Sequence, residues 1–431
     1  GRDCTPAMAT LLSPFFRQHI SLPFFVLGPD TPGERIMTDK YLMPTYSRQP
    51  IGFDRGEGCW LYDADNNGWL DGIAGIAVCN LGHCHPAITR AISEQAARLV
   101  HTSNLYQIAS QQQLAEALCQ VSGMERTFFS NSGAEANEAA IKLARLYGHR
   151  RGIDNPTIIV MEKAFHGRTM ATLTATGNRK AQAGFEPLVS GFVRAPWNDL
   201  DAVRKIARNN RDVVAVLLEP VQGEGGVNLL DEGYLKALRE FCDQQEMLLM
   251  LDEIQTGNGR TGSYFAYQQL GILPDVVTTA KGLGNGFPIG ACLAAGRAAD
   301  VFGPGTHGST YGGNPLGCTT ALAVVNTLQS DVIAQVNARG EFLRQALRDA
   351  FKDTAMVTEV RGMGLINAVQ FDRPCGELVG LCRERGLLIN VTADSVVRLI
   401  PPLVISEQEI TTLVERLADA VQAFIAQQEA A

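Results

Sequence analysis

From Gly56 onward the apolar residues recur in two rhythms. In "HPAITRAISEQAARLVH" and "SQQQLAEALCQVSG" they fall every three to four positions, which predicts amphipathic helices, the second stopping at Gly123. In "VVAVLL", "MLLML" and "DVVTTA" they form short unbroken runs without period-two alternation, as expected of strands buried on both faces of a mostly parallel sheet. The two patterns alternate: "ERTFFSNSG" leads into the helix "AEANEAAIKLARLYG", and "VVAVLLEPVQGEGG" precedes the helix "GYLKALREFCDQQE". The chain therefore reads as α/β, with a mostly parallel central sheet flanked by helices.

Two segments depart from that rhythm. "GCWLYDADNNGWLDGIAG" reads as two short strands joined by an Asn-Gly turn. From about Thr327 come a long helix through Leu347, short strands around "VTEVRGMGLINAVQF" and a final helix. This block and the hairpin near Trp60–Leu70 are expected to form a smaller α+β domain. The expected organisation is an N-terminal extension at 1–36, a segment at 37–85 contributing to the small domain, a large domain at 86–326, and the C-terminal small domain at 327–431. Residues 1–36 lack a clean apolar core followed by a small-residue cleavage site, so they do not read as a signal peptide, and Met37 reads as a natural start.

Composition narrows the class. With 431 residues, 45% hydrophobic and 19% charged, the chain is an ordinary globular protein. A net charge of -8 argues against nucleic acid as a partner, and no apolar run is long enough to span a membrane. The ten cysteines are scattered with no CxxC, which suits reduced thiols in the cytoplasm.

Candidate chemistry gathers at the ends of the apolar runs. "DADNNG" imitates an EF-hand start, but its twelfth position is Ala74, so a turn is expected. "GHCHP" has no second cluster at zinc spacing and reads as a structural or substrate-lining loop; no metal is expected. In "TTAKGLGNGFPIG", Lys281 could be a solvated strand-end charge, a phosphate-binding lysine or a nucleophile. It precedes its glycines, which excludes a P-loop, and the glycines are expected to give backbone room beside a ligand. Asp252, closing "LLMLD", would need a cationic partner if buried. A protonated ring nitrogen of pyridoxal phosphate supplies one, and that cofactor also needs a lysine. Ser132, Gly133 and Ala134 open a helix whose free N–H groups suit its phosphate, although Ser132 and Glu135 also read as a capping box. Phe165 could stack on a ring or simply be core.

With these residues in place, the sequence resembles the class III pyridoxal-phosphate aminotransferases. The resemblance runs from about Tyr41 to the C-terminus through "GHCHP", "NSGAEANEAAIKLAR", "FHGRT", "EPVQGEGG", "LDEIQTG", "TTAKGLGNGFPIGA" and "STYGGNPLGC". "GLLINVTADSVVRLIPPLVIS" is similar to the N-acetylornithine branch of that family. The resemblance implies the type I fold of pyridoxal-phosphate-dependent transferases and a homodimer. It also implies transamination of N2-acetyl-L-ornithine with 2-oxoglutarate, giving glutamate, in arginine biosynthesis. Succinylornithine, ornithine, 4-aminobutyrate and N-succinyl-diaminopimelate are rival donors, and an aminomutase is a more distant alternative.

By that resemblance Lys281 is the Schiff-base lysine and Asp252 the partner of the pyridine nitrogen. Gln255 bonds the ring's phenolic oxygen, and Glu253 and Ile254 of the same motif join the cofactor site. Ser132, Gly133 and Ala134 hold the phosphate with Thr310 of the neighbouring subunit, and Phe165 covers the ring. Arg168 grips a substrate carboxylate beside Ser309. Arg398 grips the α-carboxylate of glutamate, and Glu224 pairs with that arginine when another amino acid is bound. Tyr46 faces the substrate. Asn258 stands where the family usually carries an apolar residue, often methionine. Lying on a loop, it is expected to have little effect on catalysis.

Overall fold

The computed structural model describes residues 41–430, so the expected extension at 1–36 and the start at Met37 lie outside the described residues. The chain divides into two units, Gly1–Ile51 and Gly52–Ala431. In the first, residues 41–51 form neither helix nor strand. Thr45 N donates to Met43 O at 2.8 Å, and the Arg48 guanidinium stands 5.4 Å from the Tyr46 ring centroid.

The second unit is organised by a seven-stranded sheet in the order Arg126–Ser130, Gly290–Ala294, Val276–Thr279, Leu248–Asp252, Val213–Leu218, Thr157–Met161, Phe192–Ala195. All neighbours run parallel except Gly290–Ala294, which is antiparallel to both of its partners. The unbroken apolar runs have a simple cause. Ile158 and Val160 join one core with Ala140 and Leu143 of the helix Gly133–Arg150, while Ile159 and Met161 join the core on the other face. Successive side chains point to opposite faces, so covering both faces requires apolar residues at every position.

A second, antiparallel sheet contains Val357–Met363, Ile366–Phe371, Val396–Leu399 and Asn390–Thr392. The hairpin strands Trp60–Tyr62 and Gly68–Asp71 form a third with Arg55–Glu57 and Leu387–Leu388, the last parallel to Gly68–Asp71. The hairpin closes differently from the expected Asn-Gly turn. Residues 63–67 form the loop, held by Asp63 Oδ1 accepting from Asp65 N at 3.0 Å and Asn67 N at 2.8 Å. Gly68 belongs to the strand, where a Cβ would press on the Tyr62 ring at 3.1 Å. The helical path from Pro315–Thr327 continues through a widened turn, Leu328–Val332, into Ile333–Phe351, so it crosses position 327 without a loop. Among the described residues no helix is long and apolar enough to cross a membrane.

Candidate active site

Three adjacent parallel strands end at one place. Leu251 lies opposite Leu218, so the next residues, Asp252 and Glu219, leave neighbouring strands together. Asp252 lies opposite Thr278, and Lys281 follows just beyond. Ligands of open α/β sheets bind at such carboxyl ends. A cavity of about 420 Å³ opens there, lined by Ser132, Gly133, Ala134, Phe165, Arg168, Glu219, Asp252, Ile254, Gln255 and Lys281 among others.

Asp252 is 4% exposed, and three donors hold it. His166 Nδ1 lies 2.7 Å from Oδ2, Asn137 Nδ2 donates to the same oxygen at 2.8 Å, and Ile254 N donates to Oδ1 at 3.0 Å. Asn137 is itself fixed by accepting from Thr278 Oγ1 at 2.7 Å. Sequence reasoning missed His166, Asn137 and Glu219. For Glu219 the signal was present, because "VVAVLLE" ends in a carboxylate just as "LLMLD" does. Burial, and then the neighbouring Asp252 charge, push its carboxyl well above the usual range. His166 and Asn137 carry no such pattern, since their roles arise from contacts between distant segments.

Lys281 has a backbone φ of 44°, a strained region for a non-glycine residue. Its amine is enclosed: burial lowers its pKa to about 8, with Arg398 acting in the same direction and Glu224 and Asp252 opposing. The enclosed amine is not a solvated strand-end charge, and a larger share of it is free base near neutral pH than in an ordinary lysine, although the charged form still predominates below pH 8. The glycines after it differ from expectation. A Cβ at Gly282 would collide with Asn80 and one at Gly284 with the Phe287 carbonyl, so both serve chain packing. Gly286 does line the cavity.

The helix start behaves as a cradle. Ser132 Oγ accepts from Glu135 N at 3.2 Å, while Glu135 Oε2 reaches back to Asn131 N at 2.7 Å, one residue farther than in a simple capping box. The Gly133 and Ala134 amides precede any intrahelical acceptor and border the cavity. A side chain at Gly133 would strike Ile254 at 2.8 Å.

Arg398 is fully buried beyond Gln255. Its Nη1 donates to Glu224 Oε1 at 2.6 Å and Gln255 Oε1 at 3.1 Å, and its Nε to Asn390 Oδ1 at 3.2 Å. Its Nη2 is buried without a partner among the described residues. Burial opposes ionisation of Glu224, but Arg398 outweighs it and holds the carboxyl below its ordinary value. Arg168 is exposed, borders the cavity and lies 5.9 Å from the Phe165 ring centroid.

Other expected residues sit elsewhere. The Glu253 carboxylate caps Ala266 N at 2.9 Å and Tyr267 N at 3.2 Å and does not line the cavity. Ser309 and Thr310 line a second cavity of about 350 Å³, which shares Asn131 with the first. Tyr46 belongs to the first unit. In "GHCHP", His83 Nε2 pairs with Asp71 Oδ2 at 2.7 Å and His85 Nδ1 accepts from Ala87 N at 3.3 Å, both holding the loop together.

Comparison with known proteins adds the decisive observation: the family model described as Aminotransferase class-III matches residues 42–421. The chain belongs to the class-III aminotransferase family. It is 52% identical over 386 residues to the acetylornithine aminotransferase of Nitrosomonas europaea, covering 89% of this chain and 98% of that one. It is 46% identical over 399 residues to the acetylornithine aminotransferase of Synechocystis, covering 90% and 93%. Among solved structures, N-acetylornithine aminotransferase from Stenotrophomonas maltophilia superposes with a TM-score of 0.78 at 37% identity, covering 89% and 98% of the two chains. Ornithine aminotransferase from Toxoplasma gondii gives 0.86 at 32% identity, covering 90% and 94%. The type I transferase fold and an aminotransferase activity follow, and class-III aminotransferases depend on pyridoxal 5′-phosphate. The cavity fits that cofactor: it offers an anion cradle at Gly133 and Ala134, a fixed carboxylate at Asp252 and a lysine of lowered basicity.

Proposed function

We propose that this chain is an acetylornithine aminotransferase, moving the terminal amine of N2-acetyl-L-ornithine to 2-oxoglutarate and yielding N-acetyl-L-glutamate 5-semialdehyde and L-glutamate. The observation that carries it is Arg398: a buried guanidinium near Lys281, half occupied by Glu224 and half without a partner. That arrangement suits a site serving two substrates in turn. With 2-oxoglutarate or glutamate, Arg398 receives the α-carboxylate as a planar fork and Glu224 moves aside, its side chain being 33% exposed. With a donor reacting at a terminal amine, Glu224 keeps Arg398 neutralised. The names of the relatives favour acetylornithine as that donor.

Bound pyridoxal phosphate supplies the electron sink that makes loss of a proton from the substrate carbon feasible. The Lys281 amine carries that proton, taking it from one carbon and returning it to another. Asp252, fixed by His166 and Asn137, would keep a cationic ring nitrogen charged. Ser132 and the amides of Gly133 and Ala134 would hold the phosphate, with Phe165, Ile254 and Gln255 available to the ring. Arg168 receives the donor's carboxylate. Ser309 lies beside the pocket of Arg168, and Thr310 acts in the site of a second copy, the working form being a homodimer. Residues 327–431, with a contribution from the segment 37–85, are assigned to a small domain and residues 86–326 to a large one. All nine described cysteines are free, which supports the cytoplasm, and the product belongs to arginine biosynthesis.

The test is a donor panel with 2-oxoglutarate. Acetylornithine should have the highest kcat/KM; a higher value for succinylornithine, ornithine or 4-aminobutyrate would overturn the donor assignment. Pocket shape alone typically separates such donors by about 10- to 200-fold. Lys281→Ala should abolish turnover while leaving the fold intact.

A further inference from the structure

Asn258 was expected to be a loop residue with little effect on catalysis; it does lie in a turn, but one packed against the segment before Lys281. Its surface is fully buried, as is that of Thr279, and Ala280 is 2% exposed. Its side-chain Nδ2 donates twice, to Thr279 Oγ1 at 2.8 Å and to the Ala280 carbonyl at 3.1 Å. Those are the two residues immediately before Lys281. The Ala280 carbonyl belongs to the peptide that joins Ala280 to Lys281, so the amide grips the bond whose plane sets the Lys281 backbone. That backbone holds φ 44°, a conformation persisting only where the surroundings enforce it.

Asn258 is in turn held on three sides. Tyr264 Oη donates to its Oδ1 at 3.0 Å, which fixes the amide orientation and leaves Nδ2 facing Thr279 and Ala280. Asn80 Nδ2 donates to the Asn258 carbonyl at 2.9 Å, and Arg260 Nη2 anchors Asn80 through its Oδ1 at 2.6 Å. Gly282 closes the assembly, since a Cβ there would lie 3.1 Å from the Asn258 Cβ. Asn258 also has a positive φ of 57°, which asparagine tolerates better than most residues. Each interaction is buried, so removing Nδ2 takes the amide donor from Thr279 Oγ1 and leaves the Ala280 carbonyl held by Leu283 N alone, at 2.9 Å, at the base of the reacting side chain.

We propose that Asn258 is a positioning residue for transamination: its side-chain amide locks the Ala280–Lys281 peptide and so aims the Lys281 amine into the cavity. This rests on Lys281 being the reacting amine. The amine faces Glu224, Arg398, Asp252 and Glu219, and its environment depends on being held among them.

The experiment compares wild type, Asn258→Met and Tyr264→Phe. In cofactor-free protein, competitive acylation followed by peptide mass spectrometry reads the pH midpoint of Lys281. In holoenzyme, kcat and KM are measured separately. Wild type should titrate near 8. Asn258→Met should move that midpoint up by about half a unit or more, towards an ordinary lysine. It should also lower kcat about tenfold with KM changed less than about twofold, because aim is lost and binding is not. Tyr264→Phe, which keeps Nδ2 but frees its orientation, should shift both in the same direction by about threefold or less. A lower melting temperature with wild-type midpoint and kcat would overturn the proposal and leave Asn258 a structural residue. If Asn258→Met does not fold, unchanged kcat and midpoint in Tyr264→Phe overturn it equally. A wild-type Lys281 that titrates as an ordinary lysine would instead refute the underlying reading of the reacting amine.

Discussion

Arg260 and Arg398 are both fully buried arginines close to the Lys281 loop, yet their partners differ in kind. Arg260 faces neutral acceptors: the Leu365 and Pro401 carbonyls and Asn80 Oδ1. Burial lowers its pKa to about 9, and no carboxylate contacts it among the described residues. Arg398 faces an ionised carboxylate on a partly exposed side chain and keeps Nη2 free. One guanidinium ties segments together through neutral acceptors; the other, under the proposed function, exchanges its carboxylate partner for substrate. Burial alone does not separate the two arginines, whereas the charge and exposure of their partners do.

The comparison can be broken in order of expected effect. Arg398→Leu should lower kcat/KM for 2-oxoglutarate by about 10²- to 10³-fold, the usual cost of losing a charged donor in an enclosed site. Its melting temperature should change little, because Glu224 can turn to water. Arg260→Met should do the reverse. Unsatisfied carbonyls in the core should cost about 3 kcal/mol in urea unfolding, and KM of the folded fraction should stay near wild type. If Arg260→Met left stability unchanged, the division between the two arginines would fail. Glu224→Gln should lower KM for 2-oxoglutarate by roughly two- to fivefold, the worth of a partly exposed ion pair, while weakening selectivity for the donor.

The smallest effect concerns Lys281 itself. Its folded pKa of about 8 lies below the ordinary 10.5. Below pH 8 the amine is charged in both folded and unfolded chains, and the folded chain bears the cost of enclosing that charge. Between those pH values the folded chain sheds the proton first, so stability rises with pH. In cofactor-free protein, Lys281→Met should therefore raise the melting temperature by a degree or two at pH 6.5. That gain should shrink to nothing by about pH 10.5, as followed by thermal melts. A gain independent of pH would mean that the amine is not held at a cost.

Much of the fold was legible because two-sided burial leaves a mark on every residue of a strand: "VVAVLL" and "MLLML" could hardly be anything else. The helix start at Ser132 was legible for a similar reason, since capping is a local contact. Lys281 and Asp252 could be found because each closes such a run with a charge. The Asn-Gly turn was misplaced because Asp63 competes for the same backbone amides, a local rivalry that residue preferences do not rank. Glu253 carries the same kind of signal as Asp252, but which of two adjacent carboxylates faces the cavity depends on the strand's two sides.

The sequence by itself determined the alternating architecture, the family and the lysine, because each depends on residues close together in the chain or on motifs that keep their order. Tertiary structure alone decided that His166 and Asn137 grip Asp252 and that Glu219 shares its site. It likewise decided that Asn258 reaches across 22 positions to the peptide before Lys281. These are contacts between separate strand ends, set by sheet order and register, and no spacing along the chain encodes them.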